Sequence, residues 1–223
     1  MKRAIIIMTK VPSAGNVKTR LQPFLSADEC AALAGAFLKD AVNKAKIVCE
    51  NVILAYSPPA EINALKKFLP LQNNFIEQTG RDLGEKMFNA FKFVLEDRTD
   101  AVVMIGTDSP TFPIDYIEQA FEFLETETDI VLGKTEDGGF YLIGLRKLPQ
   151  RIFENVAWSS PETFEQVFEN VHRLNLHLRE VPSWYDVDEK KDFEKLSEEI
   201  LFNKNAQRRA PKTYALITEW EKF

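Results

Sequence analysis

Two short apolar runs, each followed directly by a polar segment, constrain the fold of this chain most strongly. Residues 4–8 (AIIIM) and 101–105 (AVVMI) are apolar throughout and rich in β-branched side chains. Strands that are apolar on both faces are typical of parallel sheets covered by helices on either side. Longer segments with the apolar spacing of amphipathic helices, such as residues 83–95, lie between the strand-like runs. This alternation predicts parallel βαβ units and therefore an open, doubly wound sheet.

The same pattern indicates one domain. No linker, repeat or break in composition divides residues 1–223, and a content of 45% hydrophobic and 28% charged residues is sufficient for a substantial core. We therefore expect a single α/β domain over residues 1–223, with a mostly parallel sheet flanked by helices. Residues 203–223 are expected to form a C-terminal helical extension.

Charge and composition exclude several classes of partner and site. The net charge is −6, and no run of Lys or Arg exceeds two residues, so we expect no nucleic-acid partner. The two cysteines form no CxxC motif, which argues against a zinc site. No segment approaches the roughly 20 apolar residues that span a bilayer, so we expect no membrane association. The N-terminal apolar run is too short for a signal peptide, which favours a cytoplasmic location.

The first candidate site follows the first strand. Ligands of open α/β sheets bind beyond the carboxyl ends of the strands. The loop at residues 10–23 supplies three cations, Lys10, Lys18 and Arg20, and Gly15 permits close approach of the backbone to an anion. Val17 occupies the position before the lysine at which a P-loop requires Gly, so the loop is not that motif. The loop is either an anion site or a solvated basic surface.

The second candidate site is Asp108, which stands at the end of the apolar run 101–105 within the segment Gly-Thr-Asp-Ser-Pro. A carboxylate is a natural ligand for Mg²⁺ or Mn²⁺. Alternatively, Asp108 caps the next helix. Asp186 and Asp188 are possible partner carboxylates, and we expect only one of the two to face a given metal ion. The other interpretation of this pair is an exposed acidic turn.

Two further segments have the composition of ligand-binding loops. Asp137, Gly138 and Gly139 precede two aromatic residues, which suits either a turn against a ligand or a hairpin with aromatic core residues. Arg81 lies where a helix begins, and free N–H groups at such a position can hold an anion together with a cationic side chain.

Taken together, these segments resemble GT-A-like transferases of the nucleotide-diphospho-sugar transferase superfamily. The blocks follow the order of that family and extend over most of the chain. The loop with Lys18 and Arg20 is also similar to the Lys-Thr-Arg-Leu segment of 2-phospholactate guanylyltransferases. The resemblance rests on Lys10-x-Pro-x-x-Gly-x-Val-Lys-Thr-Arg-Leu, Gly80-x-Asp-Leu-Gly-Glu, Gly106-Thr-Asp-Ser-Pro, Asp137-Gly-Gly-Phe-Tyr-Leu-Ile-Gly, Val156-x-Trp-Ser and Asp186-Val-Asp.

The resemblance implies a nucleotide-binding fold with one divalent ion, Mg²⁺ or Mn²⁺. Asp108 matches the metal-binding aspartate, and Asp188 matches the second acidic ligand, with Asp186 as the other possibility. Lys18 and Arg20 match the phosphate-contacting loop. These two residues and Asp108 are therefore the expected catalytic residues. The expected nucleotide-binding residues are Lys10, Gly15, Lys18, Arg20, Arg81, Asp82, Asp137, Gly138 and Gly139.

The expected activity is metal-dependent transfer from a nucleotide-activated donor to a small-molecule acceptor. A glycosyltransferase would release a nucleoside diphosphate from a nucleotide-sugar, and a nucleotidyltransferase would release pyrophosphate from a nucleoside triphosphate. A third possibility is a non-catalytic protein that binds nucleotide-sugars. Relatives often have Cys and Asp-Leu where this chain has Ser109 and Thr111-Phe112, which leaves the acceptor side open.

Overall fold

One seven-stranded sheet forms the centre of the protein. The structure is a computed structural model and describes residues 1–221. The strands are β1 (Arg3–Lys10), β2 (Val52–Ser57), β3 (Phe75–Glu77), β4 (Ala101–Ile105), β5 (Ile130–Thr135), β6 (Phe140–Leu145) and β7 (Leu178–Trp184). Their order in the sheet is β3-β2-β1-β4-β6-β5-β7. β6 runs antiparallel to β4 and β5, and the other paired strands run parallel. The predicted α/β class with a doubly wound, mostly parallel sheet is confirmed.

Helices cover both faces of the sheet. The α-helices are α1 (Ala27–Val48), α2 (Ile62–Phe68), α3 (Leu83–Glu96), α4 (Asp115–Leu124), α5 (Thr163–Arg173), α6 (Lys190–Phe202), α7 (Lys204–Arg209) and α8 (Pro211–Trp220). Short 3₁₀ helices occupy Thr19–Leu21 and Pro59–Glu61. None of these helices combines the length and the apolarity that crossing a bilayer requires, among the residues described.

Side chains of β1 alternate between two cores. Ile5 and Ile7 pack on the face that α1 and α4 cover, while Ala4 and Ile6 pack on the face that α3 and α5 cover. All four side chains are fully buried. Each buried isoleucine contributes about 1.5–3 kcal/mol relative to an exposed one. Burial on both faces explains why the apolar run is continuous rather than alternating.

A third core lies between α1 and the C-terminal helices. Leu33 and Phe37 of α1 contact Leu196 and Ile200 of α6 and Ile217 of α8 within one buried cluster. A capping box fixes the start of α1: the Glu29 backbone N–H donates to Ser26 Oγ at 3.2 Å, and the Ser26 N–H donates to the Glu29 carboxylate at 2.7 Å.

The local structure differs from the sequence prediction in two segments. The alternation of Leu174, Leu176 and Leu178 with polar residues predicts an edge strand over this segment. The strand begins only at Leu178, because α5 continues to Arg173 and Leu176 packs into the core between α5 and the sheet. The polar composition of residues 203–211 predicts a connector before the last helix. This segment instead contains α7, whose first N–H groups donate to the Asn203 side chain and whose Ala206 is fully buried. Residues 222 and 223 of the predicted C-terminal extension lie outside the described residues.

Candidate active site

A cavity of about 810 Å³ opens at the carboxyl edge of the sheet, where β1 and β4 end side by side. β2 and β3 continue the sheet on one side of this pair, and β6 and β5 continue it on the other. Such a reversal of strand order is where doubly wound proteins bind ligands. The expected site residues that line the cavity are Lys10, Lys18, Arg20, Asp108, Asp137, Gly139, Asp186 and Asp188.

Lys18 joins the two carboxylates that are expected to bind metal. Its ammonium forms an ion pair with Asp108 and a second one, at 3.1 Å, with Asp188. It also donates to the Val187 carbonyl at 2.7 Å. The Val187 backbone N–H in turn donates to the Asp108 carbonyl at 2.9 Å, so the loop after β4 and the segment after β7 are directly connected. Residues far apart in the sequence thus converge at one point.

The surroundings of Lys18 keep its ammonium charged. Its side chain is only 6% exposed. Burial alone would lower the pKa of Lys18, but the carboxylates of Asp108 and Asp188 outweigh that effect and raise the pKa. The backbone of Lys18 is left-handed, with φ 48°, which costs a non-glycine residue roughly 1–2 kcal/mol. Backbone strain of this kind is concentrated at functional sites.

Asp186 lies among other carboxylates. Burial raises its pKa to about 7, and the charges of Asp137, Asp188 and Asp108 add to the shift. Both Asp186 and Asp188 line the cavity. Residues two apart in an extended segment point to the same side, which accounts for this arrangement. That only one of the two faces a given metal ion stays a prediction.

The donor groups at this point fit a divalent ion that also binds phosphate. Among residues 1–221, no three His, Cys, Asp or Glu side chains are grouped closely enough to form a complete metal site. Mg²⁺ usually needs only one or two protein carboxylates, because water and phosphate oxygens complete its coordination. The side chains of Asp108 and Asp188 remain 51% and 39% exposed, so this pair presents hard oxygen ligands to the cavity.

The remaining residues of the basic loop differ in their relation to the cavity. Lys10 and Arg20 line it and are exposed. Gly15 does not line it, and a Cβ at this position would meet nothing within 4 Å. Its positive φ of 84° gives Gly15 a conformational role in the turn of the loop rather than one of close approach.

The start of α3 brings different residues into the cavity from those predicted. Arg81 is exposed and forms an ion pair with Glu85, and Asp82 caps the helix by accepting from the Glu85 N–H at 2.8 Å. Neither residue lines the cavity, whereas Leu83 and Lys86 do. Arg81 and Asp82 therefore interact with Glu85 in the first turn of α3 rather than with the cavity. Lys86, which was not among the expected site residues, adds a cation to the cavity.

Asp137, Gly138 and Gly139 form the turn between β5 and β6. Asp137 Oδ1 accepts from Thr135 Oγ1 at 2.6 Å and from the Gly139 N–H at 3.0 Å. Gly138 has φ 95°, and a Cβ there would lie 2.0 Å from the Pro161 carbonyl oxygen, so only glycine fits. The turn is a hairpin packed against the segment before α5, with Asp137 and Gly139 at the cavity surface.

Gln78 and Ser159 are among the other cavity residues that were not proposed as site residues from sequence. Gln78 Nε2 donates to the carbonyls of Thr9 and Ala55, at 2.9 and 2.7 Å, and so ties together the ends of β1 and β2. Ser159 has a left-handed backbone with φ 60°, next to Trp158. A lone Gln after a short strand carries no sequence signal of such a role, whereas Ser159 belongs to the Val156-x-Trp-Ser block on which the family resemblance rests.

Comparisons with known proteins identify the family of the chain. Residues 40–160 match the family described as "Uncharacterized protein conserved in bacteria (DUF2064)". The chain belongs to the DUF2064 family. A protein of Desulfovibrio desulfuricans G20, provisionally assigned as a nucleotide-diphospho-sugar transferase, is 30% identical, with a TM-score of 0.91 over 100% of this chain and 96% of that one.

More distant structures share the fold of this DUF2064 protein. A cytidylyltransferase from Leptospira borgpetersenii is 16% identical, with a TM-score of 0.59 over 100% of this chain and 94% of that one. A protein of Mycobacterium tuberculosis H37Rv, solved in complex with manganese, is 19% identical, with a TM-score of 0.50 over 87% of this chain and 97% of that one. None of the curated proteins compared with the chain matched it. The chain thus has the nucleotide-diphospho-sugar transferase fold that the sequence blocks indicated.

Buried polar contacts hold the loop that carries Asp108 in this DUF2064 protein. Lys44 of α1 donates to the carbonyls of Pro110 and Phe112, at 3.1 and 2.6 Å. Thr111 Oγ1 donates to Glu199 of α6 at 2.8 Å, and the Tyr185 hydroxyl donates to the same carboxylate. Thr111 and Phe112 are therefore buried supports of the loop.

Proposed function

We propose that this DUF2064 protein is a metal-dependent transferase that moves a sugar from a nucleotide-diphospho-sugar to a small-molecule acceptor. The observation that carries the proposal is the convergence of Asp108, Asp188 and Lys18 in a cavity that Lys10 and Arg20 also line. Carboxylates and several cations at one strand edge suit a ligand that contains both phosphate and a divalent ion. A volume of about 810 Å³ lies within the usual range for small-molecule sites.

Different residues of the cavity would bind the diphosphate of such a donor and its metal ion. Lys10 and Arg20 would bind the diphosphate, since both are exposed to the cavity. Asp108 and Asp188 would hold Mg²⁺ or Mn²⁺, and the manganese bound in the Mycobacterium tuberculosis neighbour favours this class of ion. The ion supplies Lewis-acid neutralisation of the charge that develops on the phosphates. Lys18 would keep the two carboxylates at a fixed separation by its two ion pairs.

Sugar transfer and nucleotidyl transfer differ in the bond that breaks. In sugar transfer, an acceptor oxygen bonds to the anomeric carbon, the bond from this carbon to the phosphate oxygen breaks, and a nucleoside diphosphate leaves. In nucleotidyl transfer, the acceptor oxygen bonds to the α-phosphorus and pyrophosphate leaves. Nucleotidyl transfer is the second candidate. It is favoured by three cations, Lys10 at the end of β1 and Lys18 and Arg20 in the loop after it, which suit a triphosphate.

Calorimetric titration with UDP-glucose, GDP-mannose, CTP and GTP, each with and without Mn²⁺, tests the proposal. We expect a nucleotide-sugar to bind only with Mn²⁺, and Asp108→Asn to weaken binding at least about tenfold, because half of the carboxylate pair is lost. Asp115→Asn is the matched control, since Asp115 is an exposed aspartate in the first turn of α4.

Two results would overturn the proposal. Absence of binding by all four ligands in the presence of Mn²⁺ would exclude a nucleotide donor. Unchanged nucleotide-sugar affinity in Asp108→Asn would instead indicate a metal-independent binding protein. Release of pyrophosphate rather than nucleoside diphosphate, measured with the acceptor present, would replace sugar transfer by nucleotidyl transfer.

A further inference from the structure

The charge of the cavity is divided between its two sides. The cations that line it, Lys10, Lys18, Arg20 and Lys86, come from β1, the loop after it and the start of α3. The opposite side is formed by the β5–β6 turn, the start of β6 and residues 158–163, and we call it the distal half. The cavity residues of the distal half, within the described chain, include no Lys or Arg and carry the carboxylate of Asp137.

Trp158 forms a rigid apolar wall of the distal half. Its ring packs edge-on against Phe140 and Phe153, with centroids 6.5 and 5.8 Å away. A Cβ at Gly84 would lie 2.5 Å from the Trp158 ring, so the indole also lies tightly against the first turn of α3. Trp158 nevertheless remains partly exposed and lines the cavity. An indole fixed in this way offers an apolar surface to the C–H groups of a ligand.

Residues 157–163 hold polar groups beside this wall. Ser160 Oγ and Thr163 Oγ1 both donate to the Ala157 carbonyl, at 2.9 and 2.8 Å, and so close the segment on itself. Ser159, between these anchors, is exposed and has a left-handed backbone. Its hydroxyl is therefore available to the cavity and is held there at the cost of backbone strain.

The carboxylate of the distal half opposes a second anion. Asp137 lines the cavity and is fixed through Oδ1 by the Thr135 hydroxyl and the Gly139 N–H. A phosphate placed here would meet this carboxylate without a Lys or Arg from this side, and juxtaposed like charges repel each other. Hydroxyl groups, by contrast, donate hydrogen bonds to carboxylates.

We infer that the distal half binds the acceptor, and that the acceptor is an uncharged polyhydroxy compound, a sugar or polyol, rather than its phosphate ester. This inference rests on the proposed function, because it assigns the donor phosphates to the cationic side. In this arrangement the indole of Trp158 packs against the C–H groups of the acceptor, and Asp137 and Ser159 form hydrogen bonds with the hydroxyl groups of the acceptor.

Acceptor binding to the protein saturated with Mn²⁺ and UDP or GDP tests the inference. The probes are inositol, inositol 1-phosphate, glucose, glucose 6-phosphate and glucosamine, measured by ligand-observed NMR titration. We expect inositol or glucose to bind at least about tenfold more tightly than its phosphate ester. Trp158→Ala is expected to lower that affinity about tenfold, with partial rescue by Trp158→Phe. Trp220→Ala, at the end of α8, is the matched control.

A charge variant tests the electrostatic part separately. Asp137→Asn keeps the Oδ1 acceptor for Thr135 and Gly139 but removes the charge. We therefore expect the ratio of the affinity for the uncharged ligand to the affinity for its phosphate ester to fall about threefold or more. Equal or tighter binding of the phosphate esters, or much tighter binding of glucosamine than of glucose, would overturn the inference. So would failure of every probe to bind while the nucleoside diphosphate binds. If the nucleoside diphosphate itself does not bind in the presence of Mn²⁺, that result contradicts the proposed function and not only the inference about the acceptor.

Discussion

At the scale of single residues, Lys18 balances the negative charges of two carboxylates. Its ammonium is nearly buried, and the two carboxylates that it joins, Asp108 and Asp188, are about half and two-fifths exposed. Removing one member of an ion pair leaves the other charges uncompensated. Because the carboxylates here retain contact with solvent, the cost is smaller than for a fully buried pair.

We therefore expect Lys18→Met to lower the free energy of unfolding by about 1–3 kcal/mol in urea denaturation. Mn²⁺ should restore more stability in this variant than it adds to the unchanged protein, because the ion replaces the lost positive charge. Lys10→Met is the matched control, with a change within about 0.5 kcal/mol, since Lys10 is an exposed residue of the same cavity. An equal response of the two variants to Mn²⁺ would contradict the ion-pair interpretation.

Individual site residues differ in how far the sequence predicts their place in the structure. Lys10 is the last residue of β1, Asp108 follows β4 closely, and Lys18 and Arg20 lie in the loop after β1. The end of a buried strand is a reliable position for a ligand-facing side chain. Arg81 looked equally suitable, but a glutamate one helical turn onward forms an ion pair with it. Such local competition depends on side-chain geometry, which a pattern of residue types does not contain.

At the scale of elements, α1 supports the loop after β4 through a buried lysine. Lys44 donates to two carbonyls of that loop, and its ammonium lies 3.6 Å from the centre of the Phe112 ring. Burial lowers the pKa of Lys44 to about 7. The Asp40 and Glu199 charges oppose this shift, and Arg209 adds to it. The folded protein therefore releases this proton near neutral pH, whereas the unfolded chain keeps it to about pH 10.5.

The pH dependence follows from this difference. Between pH 7 and 10 the unfolded state binds more protons at Lys44, so this group makes the free energy of unfolding rise with pH by up to about 1.4 kcal/mol per pH unit. We expect Lys44→Met to flatten the profile of unfolding free energy between pH 7 and 9.5. Lys46→Met, an exposed lysine of the same helix, is the control. A parallel profile for Lys44→Met and the unchanged protein would show that Lys44 does not titrate in this range.

Prediction of the elements themselves succeeded where local chemistry and packing agree. The capping box at Ser26 defines the start of α1, and the apolar face of α3 matches its buried residues. The helix α7 has only six residues, too few to show a periodic apolar face, and its burial depends on Ala206 meeting other elements. Short elements of this kind are stabilised by tertiary contacts rather than by their own sequence.

At the scale of the whole molecule, the C-terminal helices complete the core beside α1. Asp40 of α1 is buried and accepts from the Lys212 and Thr213 N–H groups at 2.9 and 2.8 Å, and from the Thr213 hydroxyl at 2.8 Å. Ile217 of α8 packs into the same region. We therefore propose that residues 203–221 are an integral part of a single domain rather than an appended extension.

Thr213→Val tests this contact. Loss of one hydroxyl donor to the buried Asp40 carboxylate should lower the free energy of unfolding by about 1–3 kcal/mol in chemical denaturation. Thr218→Val is the matched control, because Thr218 donates only to the Tyr214 carbonyl of its own helix. A loss no larger than that of the control would mean that α8 contributes little to the stability of α1.

The sequence by itself determined the class of the fold and several of the residues at its functional edge. Continuous apolar runs require strands that are buried on both faces, and this burial leads to a mostly parallel sheet covered by helices. Only the tertiary structure decided that the segment with Asp186 and Asp188 lies beside Asp108. This segment follows the edge strand β7, whereas Asp108 follows β4 in the middle of the sheet. The path of that segment depends on packing between α1, α6 and the loop after β4, and contacts between residues so distant in sequence leave no local pattern.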